Sequence, residues 1–247
     1  MSKGHISIIG NLDTEYPAHV QTREAIIHAE RELGVVLNTR WVTPHEIVER
    51  DDVLDGSCAA LIAPRNPKSP RQLWPEILAA LEWLEARRVP TLGIEYGYQH
   101  MVIDMARRLL LQDRANSTAY DEASPYPVIT RLESDQSPID KVSPVTIDVR
   151  LRAESMLWNI YGKRHEVREA FRGHYVVNPD YLEDFEDRGV QFSARGRWGD
   201  SHFVAAFERS DLPFQIGVAY LPQFASRPGR PHPLFLALVK AGLEYRD

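Results

Sequence analysis

The chain has 247 residues, a formal charge of −6, 43% hydrophobic and 26% charged residues. That length buries a sizeable core as one large domain or two small ones, and the composition is that of an ordinary soluble protein. The charge argues against nucleic acid as the main partner, and no apolar run approaches the ~20 residues of a membrane span. The N-terminus enters a strand at once without a signal peptide, so a cytoplasmic location and no membrane partner are expected. Cys58 is the only cysteine, which excludes an intramolecular disulfide. It lies in Ser57-Cys58-Ala59-Ala60-Leu61-Ile62, which reads as a core strand. A buried thiol is a simpler reading than a reactive one, because nothing basic is adjacent.

In chain order, residues 5–9 read as a strand. Residues 18–34 carry helical spacing (Ala18, Ala25, Ile26, Ala29) and end at a glycine. Residues 35–42 alternate as a strand, residues 59–63 form a third, residues 74–86 an apolar-striped helix and residues 89–94 a fourth strand. This alternation implies right-handed crossovers and a parallel sheet with helices on both faces. The second half reads differently. Residues 126–132 and 145–151 look like strands, and residues 191–194, 202–208 and 214–220 like a further meander. Residues 180–188 form a short acidic helix, and a terminal helix runs over 233–245. Residues 121–143, rich in Pro, Ser and Asp, read as surface connection. With no internal repeat and no long linker, residues 1–247 are expected to form a single domain.

In an open parallel sheet the site lies beyond the strand C-termini. Two loops there stand out: Ala63-Pro64-Arg65-Asn66-Pro67-Lys68, and the turn at Glu95. Gly93-Ile94-Glu95-Tyr96-Gly97 joins a strand to a long helix, the frame of a nucleophile elbow, a strained turn that lifts one side chain over the sheet edge. Such a place usually holds Ser or Cys. A carboxylate there cannot attack as a thiolate does.

Three blocks carry a resemblance to a known family. They are Leu92-Gly93-Ile94-Glu95-Tyr96-Gly97-Tyr98-Gln99; Ala115-Asn116-Ser117-Thr118; and Gly217-Val218-Ala219-Tyr220-Leu221-Pro222-Gln223-Phe224, with Ser226-Arg227-Pro228 and Arg230-Pro231-His232-Pro233-Leu234-Phe235. Over nearly its whole length the chain resembles the glutaminase domain of CTP synthase, a class I glutamine amidotransferase. The resemblance implies an α/β fold: a three-layer α/β/α sandwich with a flavodoxin-like core and an added antiparallel portion. It also implies a stand-alone unit, since the chain starts directly with its first strand.

The family's chemistry does not carry over with the fold. The resemblance places its nucleophilic Cys on Glu95, its catalytic His on Leu221 and the orienting acid on Gln223. Its Gly-rich oxyanion loop falls on Arg65-Asn66-Pro67-Lys68, where proline has no N–H to donate. The acid that pairs with the substrate amino group falls on Ala119, and the Arg that pairs with its carboxylate on His174; Gln99 persists. Losing base, nucleophile, oxyanion hole and two anchors leaves no route to glutamine hydrolysis.

Two histories would leave this pattern: a decayed site that now binds or scaffolds, or a pocket rebuilt for another substrate. Under the resemblance Glu95, Tyr96, Tyr98, Arg65, Asn66, His174 and Tyr220 converge on one cleft, a titratable, aromatic-lined set that favours rebuilding. The leading expectation is a repurposed hydrolase or lyase acting on a small polar, nitrogen-containing metabolite. Glu95 is base or nucleophile, His174 a proton shuttle, and Arg65, Asn66, Tyr96, Gln99 and Tyr220 bind substrate. The alternative is a non-catalytic pseudo-glutaminase that binds a metabolite or protein partner. Blander readings stand beside these: an ion pair between Glu95 and Arg65, a structural His174, Tyr96 packed under the elbow, a solvated charge run at His165 and a structural turn at His232. No Cys pair, His-x-x-x-His, His-Glu-x-x-His, P-loop or Gly-x-Gly-x-x-Gly pattern occurs, so neither metal nor cofactor is expected. The expected partner is a small molecule, with homodimerisation left open.

Overall fold

A computed structural model describes residues 4–133 and 144–246. Part of the expected surface connection over 121–143 therefore lies outside the described residues. The parallel half opens with β1 (His5–Ile9), α1 (Pro17–Leu33), β2 (Asn38–Val42), α2 (Pro44–Glu49) and β3 (Ser57–Ile62). It continues with α3 (Pro75–Ala86), β4 (Thr91–Ile94) and α4 (Tyr96–Leu109). Then follow β5 (Ala115–Ser117), β6 (Tyr126–Arg131), β7 (Val145–Leu151), α5 (Met156–Ile160), β8 (Glu166–Phe171) and β9 (Tyr175–Val177). The chain closes with α6 (Leu182–Glu186), β10 (Val190–Trp198), β11 (Ser201–Arg209), β12 (Gln215–Val218) and α7 (Pro233–Arg246).

Local chemistry explains several boundaries. Pro17 opens α1, and Gly34 in the left-handed region closes it with N–H bonds to the Arg31 and Glu30 carbonyls. The α2 helix, absent from the sequence reading, is started by a capping box: Thr43 Oγ1 accepts the Glu46 N–H while Glu46 Oε2 accepts the Thr43 N–H. It is short, and a six-residue helix shows little periodicity.

Among the described residues nine strands form one sheet in the order β2-β1-β3-β4-β12-β11-β10-β7-β8. From β2 to β12 the neighbours run parallel, and from β12 to β8 antiparallel. The antiparallel portion anticipated from sequence is thus an extension of the main sheet. The two similar-looking strands at 126–132 and 145–151 separate. The first joins a small sheet, β5-β6-β9, and the second the main one. The β1-to-β2 and β3-to-β4 crossovers step in opposite directions along the sheet, which for right-handed connections puts their helices on opposite faces. Accordingly α1 packs on α7 and α7 on β3, while α4 packs on α3, β4 and the small sheet. The fully buried strands β3, β4 and β12 form the middle of the core.

Candidate functional site

The C-terminal ends of β1, β3, β4 and β12 converge, and the loops that leave them build the site. At its centre Glu95 adopts φ 52°, ψ −95° between β4 and α4. A non-glycine residue there is strained by on the order of 1–3 kcal/mol. The flanking glycines let the turn close. A Cβ on Gly97 would meet the Ile62 carbonyl oxygen at 2.3 Å, and one on Gly93 would meet Met101 Sδ at 2.3 Å. The Gly-x-x-x-Gly frame therefore seats the first turn of α4 directly on β3 and β4. The Glu95 N–H donates to the Val218 carbonyl on β12 at 2.8 Å, which fixes the elbow to the next strand.

The Glu95 side chain is 8% exposed. Its Oε2 accepts the backbone N–H of Arg65 at 2.8 Å. This corrects the ion pair expected between the two side chains. Among the described residues no ion pair joins Arg65 to Glu95, because the Arg65 guanidinium turns into its own loop. Its Nη1 donates to the carbonyls of Asn66, Pro67 and Ser69 at 3.2, 3.2 and 2.8 Å. Burial lowers the Arg65 pKa, and the Glu95 charge opposes that shift. Asn66 is likewise spent on structure: its Nδ2 donates to Asp13 Oδ2 at 2.9 Å and its Oδ1 accepts the Lys68 N–H at 2.9 Å.

The Tyr96 hydroxyl donates to the Gln72 carbonyl, and burial pushes its pKa up to about 12. Gln99 Oε1 accepts from the Tyr120 hydroxyl at 3.0 Å. Both residues belong to the first turn of α4, beside the elbow. Beside them a cavity of about 20 Å³, bordered by Ala63, Arg65, Asn66, Trp74 and Tyr96, has room for roughly one water. His174 sits in the turn between β8 and β9, where its carbonyl accepts the Leu132 N–H at 2.7 Å.

Tyr220 departs from the sequence reading. It is wholly buried in the core, and its hydroxyl bonds the Tyr161 hydroxyl at 2.9 Å. Tyr161 also donates to Glu169 Oε1 at 2.8 Å, and His232 Nε2 contacts the same oxygen at 3.1 Å. His232 Nδ1 accepts the Leu234 N–H at 3.2 Å, so the neutral ring carries its proton on Nε2 and donates it to Glu169. Tyr98 is also buried away from solvent, with its hydroxyl on the Val204 carbonyl at 2.8 Å. The expected convergence therefore breaks at Tyr220 and Tyr98: both belong to the core.

At the positions matched to the family's base and acid, Leu221 is buried and Gln223 is wholly buried. Neither Gln223 Oε1 nor Nε2 has a hydrogen-bond partner among the described residues. Cys58 is buried, with its thiol 3.4 Å from the His5 carbonyl, and His165 is exposed.

Three residues near the elbow were not singled out from sequence. Arg172 is 8% exposed, donates from Nη2 to the Arg65 carbonyl at 3.2 Å and lies 5.1 Å from the Tyr16 ring centre. Among the described residues it has no ion pair. Burial raises the Tyr16 pKa to about 12, with the charges of Arg172 and Glu95 acting on it in opposite senses. His19 Nδ1 accepts the Asp13 N–H at 3.0 Å and its Nε2–H donates to the Pro64 carbonyl at 2.9 Å. Burial lowers its pKa, consistent with this neutral form. One signal was available for His19. With Thr22 and Ile26 it follows the i, i+3, i+7 stripe that α1 buries.

The chain matches the glutamine amidotransferase class-I family over residues 17–241. It is 34% identical over 246 residues to the CTP synthase of Archaeoglobus fulgidus, covering 98% of this chain and 45% of that one. It is also 34% identical over 241 residues to the CTP synthase of Prochlorococcus marinus, covering 96% and 42%. The chain thus spans less than half the length of these relatives. Its fold matches the glutaminase domain of Trypanosoma brucei CTPS, solved with bound acivicin, at a TM-score of 0.85 and 24% identity over 98% of this chain and 94% of that one. A more distant match is PurLQS from Thermotoga maritima, at a TM-score of 0.57 and 15% identity over 99% of this chain. No helix among the described residues is long and apolar enough to cross a membrane. An elbow between a parallel strand and a helix, sequence blocks on both sides of it and one fold throughout lead to the same assignment: the chain belongs to the class-I glutamine amidotransferase family.

Proposed function

We propose that this protein is a pseudo-glutaminase: an amidotransferase fold that does not hydrolyse glutamine and whose remaining role is to bind a small polar molecule or a partner protein. The observation that carries this reading is the 2.8 Å bond from the Arg65 N–H to Glu95 Oε2. Acyl transfer from an amide needs backbone donors free to receive the negative charge that develops on the substrate oxygen. Here such a donor already holds a resident carboxylate. A second negative charge beside Glu95 would be repelled in a site shielded from water. The buried Leu221 offers no base, and Gln223, whose amide stays neutral, has nothing to orient. The Arg65 guanidinium is tied to its own loop, Asn66 to Asp13 and the Lys68 N–H, and the Tyr96 hydroxyl to the Gln72 carbonyl, so these groups already have partners.

A second reading, the repurposed hydrolase or lyase with Glu95 as base, is favoured by one observation. A strained φ of 52° is kept at a non-glycine residue, and such strain clusters at functional positions.

The test is ammonia release from glutamine together with mass spectrometry after exposure to acivicin, the ligand in the Trypanosoma structure. The expected result is no ammonia above background and no adduct. Glu95→Cys should stay inactive, because Leu221 and Ala119 remain. Ammonia release that disappears in Glu95→Ala would overturn the reading.

A further inference from the structure

A cavity of about 300 Å³ opens between α1, the β1–α1 loop and the edge strand β2. It is lined by Leu12, Thr14, His19, Val20, Arg23, Glu24, Thr39 and Trp41. Leu12 and Val20 are 45% and 41% exposed, and both line the cavity together with the half-buried Trp41. Isolated exposed aliphatics are unremarkable, but two of them beside a tryptophan at a concave site mark a place built to be covered. The volume is at the lower end of the range of ligand sites, about 300–1,000 Å³, and suits a small molecule better than a peptide or a dinucleotide.

The polar groups define the chemistry. The Arg23 guanidinium has no ion pair among the described residues, so it can meet an anionic group at the rim. The Glu24 carboxylate, one residue on, also lacks an ion pair and can accept from a ring N–H. The Thr14 and Thr39 hydroxyls supply neutral contacts. One side of Trp41 is packed on His19, with ring centres 5.0 Å apart. We infer that this cavity binds a small planar heteroaromatic acid, with its ring against Trp41 and its carboxylate on Arg23.

The site is wired to the elbow through one residue. His19 forms its back wall, and the same ring donates to the Pro64 carbonyl at 2.9 Å. The next residue, Arg65, gives the N–H that holds Glu95. A ligand that packs on His19 therefore changes the environment of the Arg65 amide. Because no atom of Glu95 lines the cavity, the inference stands whichever reading of the elbow holds.

The test is saturation-transfer NMR with indole-3-acetate and indole as probes. The acid is expected to bind the wild type more tightly than indole does. Arg23→Gln should weaken the acid by about 3- to 10-fold and leave indole unchanged, as expected for one exposed charge-assisted contact. Val20→Glu changes an exposed helix position that the fold tolerates, and it should abolish binding of both probes. Thr39→Arg provides a second block from the opposite wall. In ¹H–¹⁵N spectra the Arg65 amide should shift when the acid binds the wild type and stay still in Val20→Glu. No saturation transfer at millimolar acid, or transfer unchanged in both blocking variants, would overturn the site. Binding without a shift at Arg65 would overturn the coupling.

Discussion

Glu95 and Glu208 are both buried carboxylates that accept backbone N–H groups, and they sit in opposite halves of the molecule. Glu208, on the antiparallel strand β11, receives the Met156 and Leu157 N–H groups at 2.7 and 3.0 Å and so caps the start of α5. Its own backbone is an ordinary strand. Glu95 receives one N–H, from Arg65, and holds it from a strained elbow. An N–H bond to a carboxylate is therefore a general structural device in this protein. What separates Glu95 is the conformation it must keep, and the neighbours that surround it: Arg65, Arg172, Tyr16 and His19. Glu169 sharpens the contrast. It too is in the antiparallel half, enclosed by Tyr161 and His232 with no strained backbone. The antiparallel half uses buried charge to hold its elements together. The parallel half does the same at Glu30 on α1, which accepts the Leu37 N–H at 2.7 Å, but it also places a buried carboxylate on a strained turn at the end of its sheet.

If the elbow is set by close packing and not by Glu95, then the largest effect should come from a glycine. Gly97→Ala drives a methyl group to 2.3 Å from the Ile62 carbonyl oxygen. Neither backbone can yield without moving α4 off β3. A loss of about 3 kcal/mol or more in chemical denaturation is expected. A loss under about 1 kcal/mol would show that the elbow is loosely packed.

The antiparallel half should fail at Glu169. Glu169→Ala leaves the Tyr161 hydroxyl without one of its partners, and the His232 ring with only the longer 3.3 Å contact to that hydroxyl, inside the core. A loss of about 3 kcal/mol is expected, against a small change for Glu95→Gln, which keeps an acceptor for the Arg65 N–H. Equal losses in the two variants would erase the distinction between the two carboxylates.

A third test uses pH. His100 is wholly buried on α4: its Nδ1–H donates to the Tyr96 carbonyl at 3.0 Å and its Nε2 accepts the Trp74 N–H at 3.2 Å. Burial lowers its pKa from 6.5 to about 4. Because the folded pKa is depressed, the unfolded chain binds more protons between those values. Stability from this group is therefore complete above about pH 6.5 and falls as pH drops toward 4, by on the order of 2–3 kcal/mol. Urea midpoints from pH 7.5 to 4.5 should decline less steeply in His100→Gln than in the wild type. Parallel slopes would mean that His100 does not couple the elbow to acid.

Much of this architecture is legible in the sequence, and the misses share a physical cause. The parallel strands and α1, α3, α4 and α7 carry strong periodicity or caps, and Gly93 and Gly97 disclose the elbow. The short elements α2, α5, β5 and β9 are held by capping and tertiary contacts that a periodic pattern does not express. At the site, chain position puts Glu95, Tyr96 and Arg65 just beyond the ends of β4 and β3 and Gln99 in the first turn of α4. It could not foretell side-chain direction. Tyr220 also leaves a strand end, yet its hydroxyl goes to Tyr161, and the Arg65 guanidinium folds back onto its own carbonyls. Arg172 is brought in by β8, a strand with no clear alternation, so nothing local announced it.

The smallest expected effect isolates the strain itself. Glu95→Ala and Glu95→Gly both remove the carboxylate and both leave the Arg65 N–H without its acceptor, so those contributions cancel between them. What remains is the backbone. At an ordinary position inside regular structure glycine is less stable than alanine by about 0.5–1 kcal/mol, because the unfolded chain is freer. At φ 52°, ψ −95° the order should reverse, since only glycine adopts that conformation without a Cβ clash. Glu95→Gly is therefore expected to exceed Glu95→Ala by about 1 kcal/mol in thermal or urea unfolding. Alanine equal to glycine, or above it, would mean that the turn relaxes once the carboxylate is gone. In that case the strain is imposed by the Arg65–Glu95 bond, and the elbow of this chain is a consequence of its glutamate.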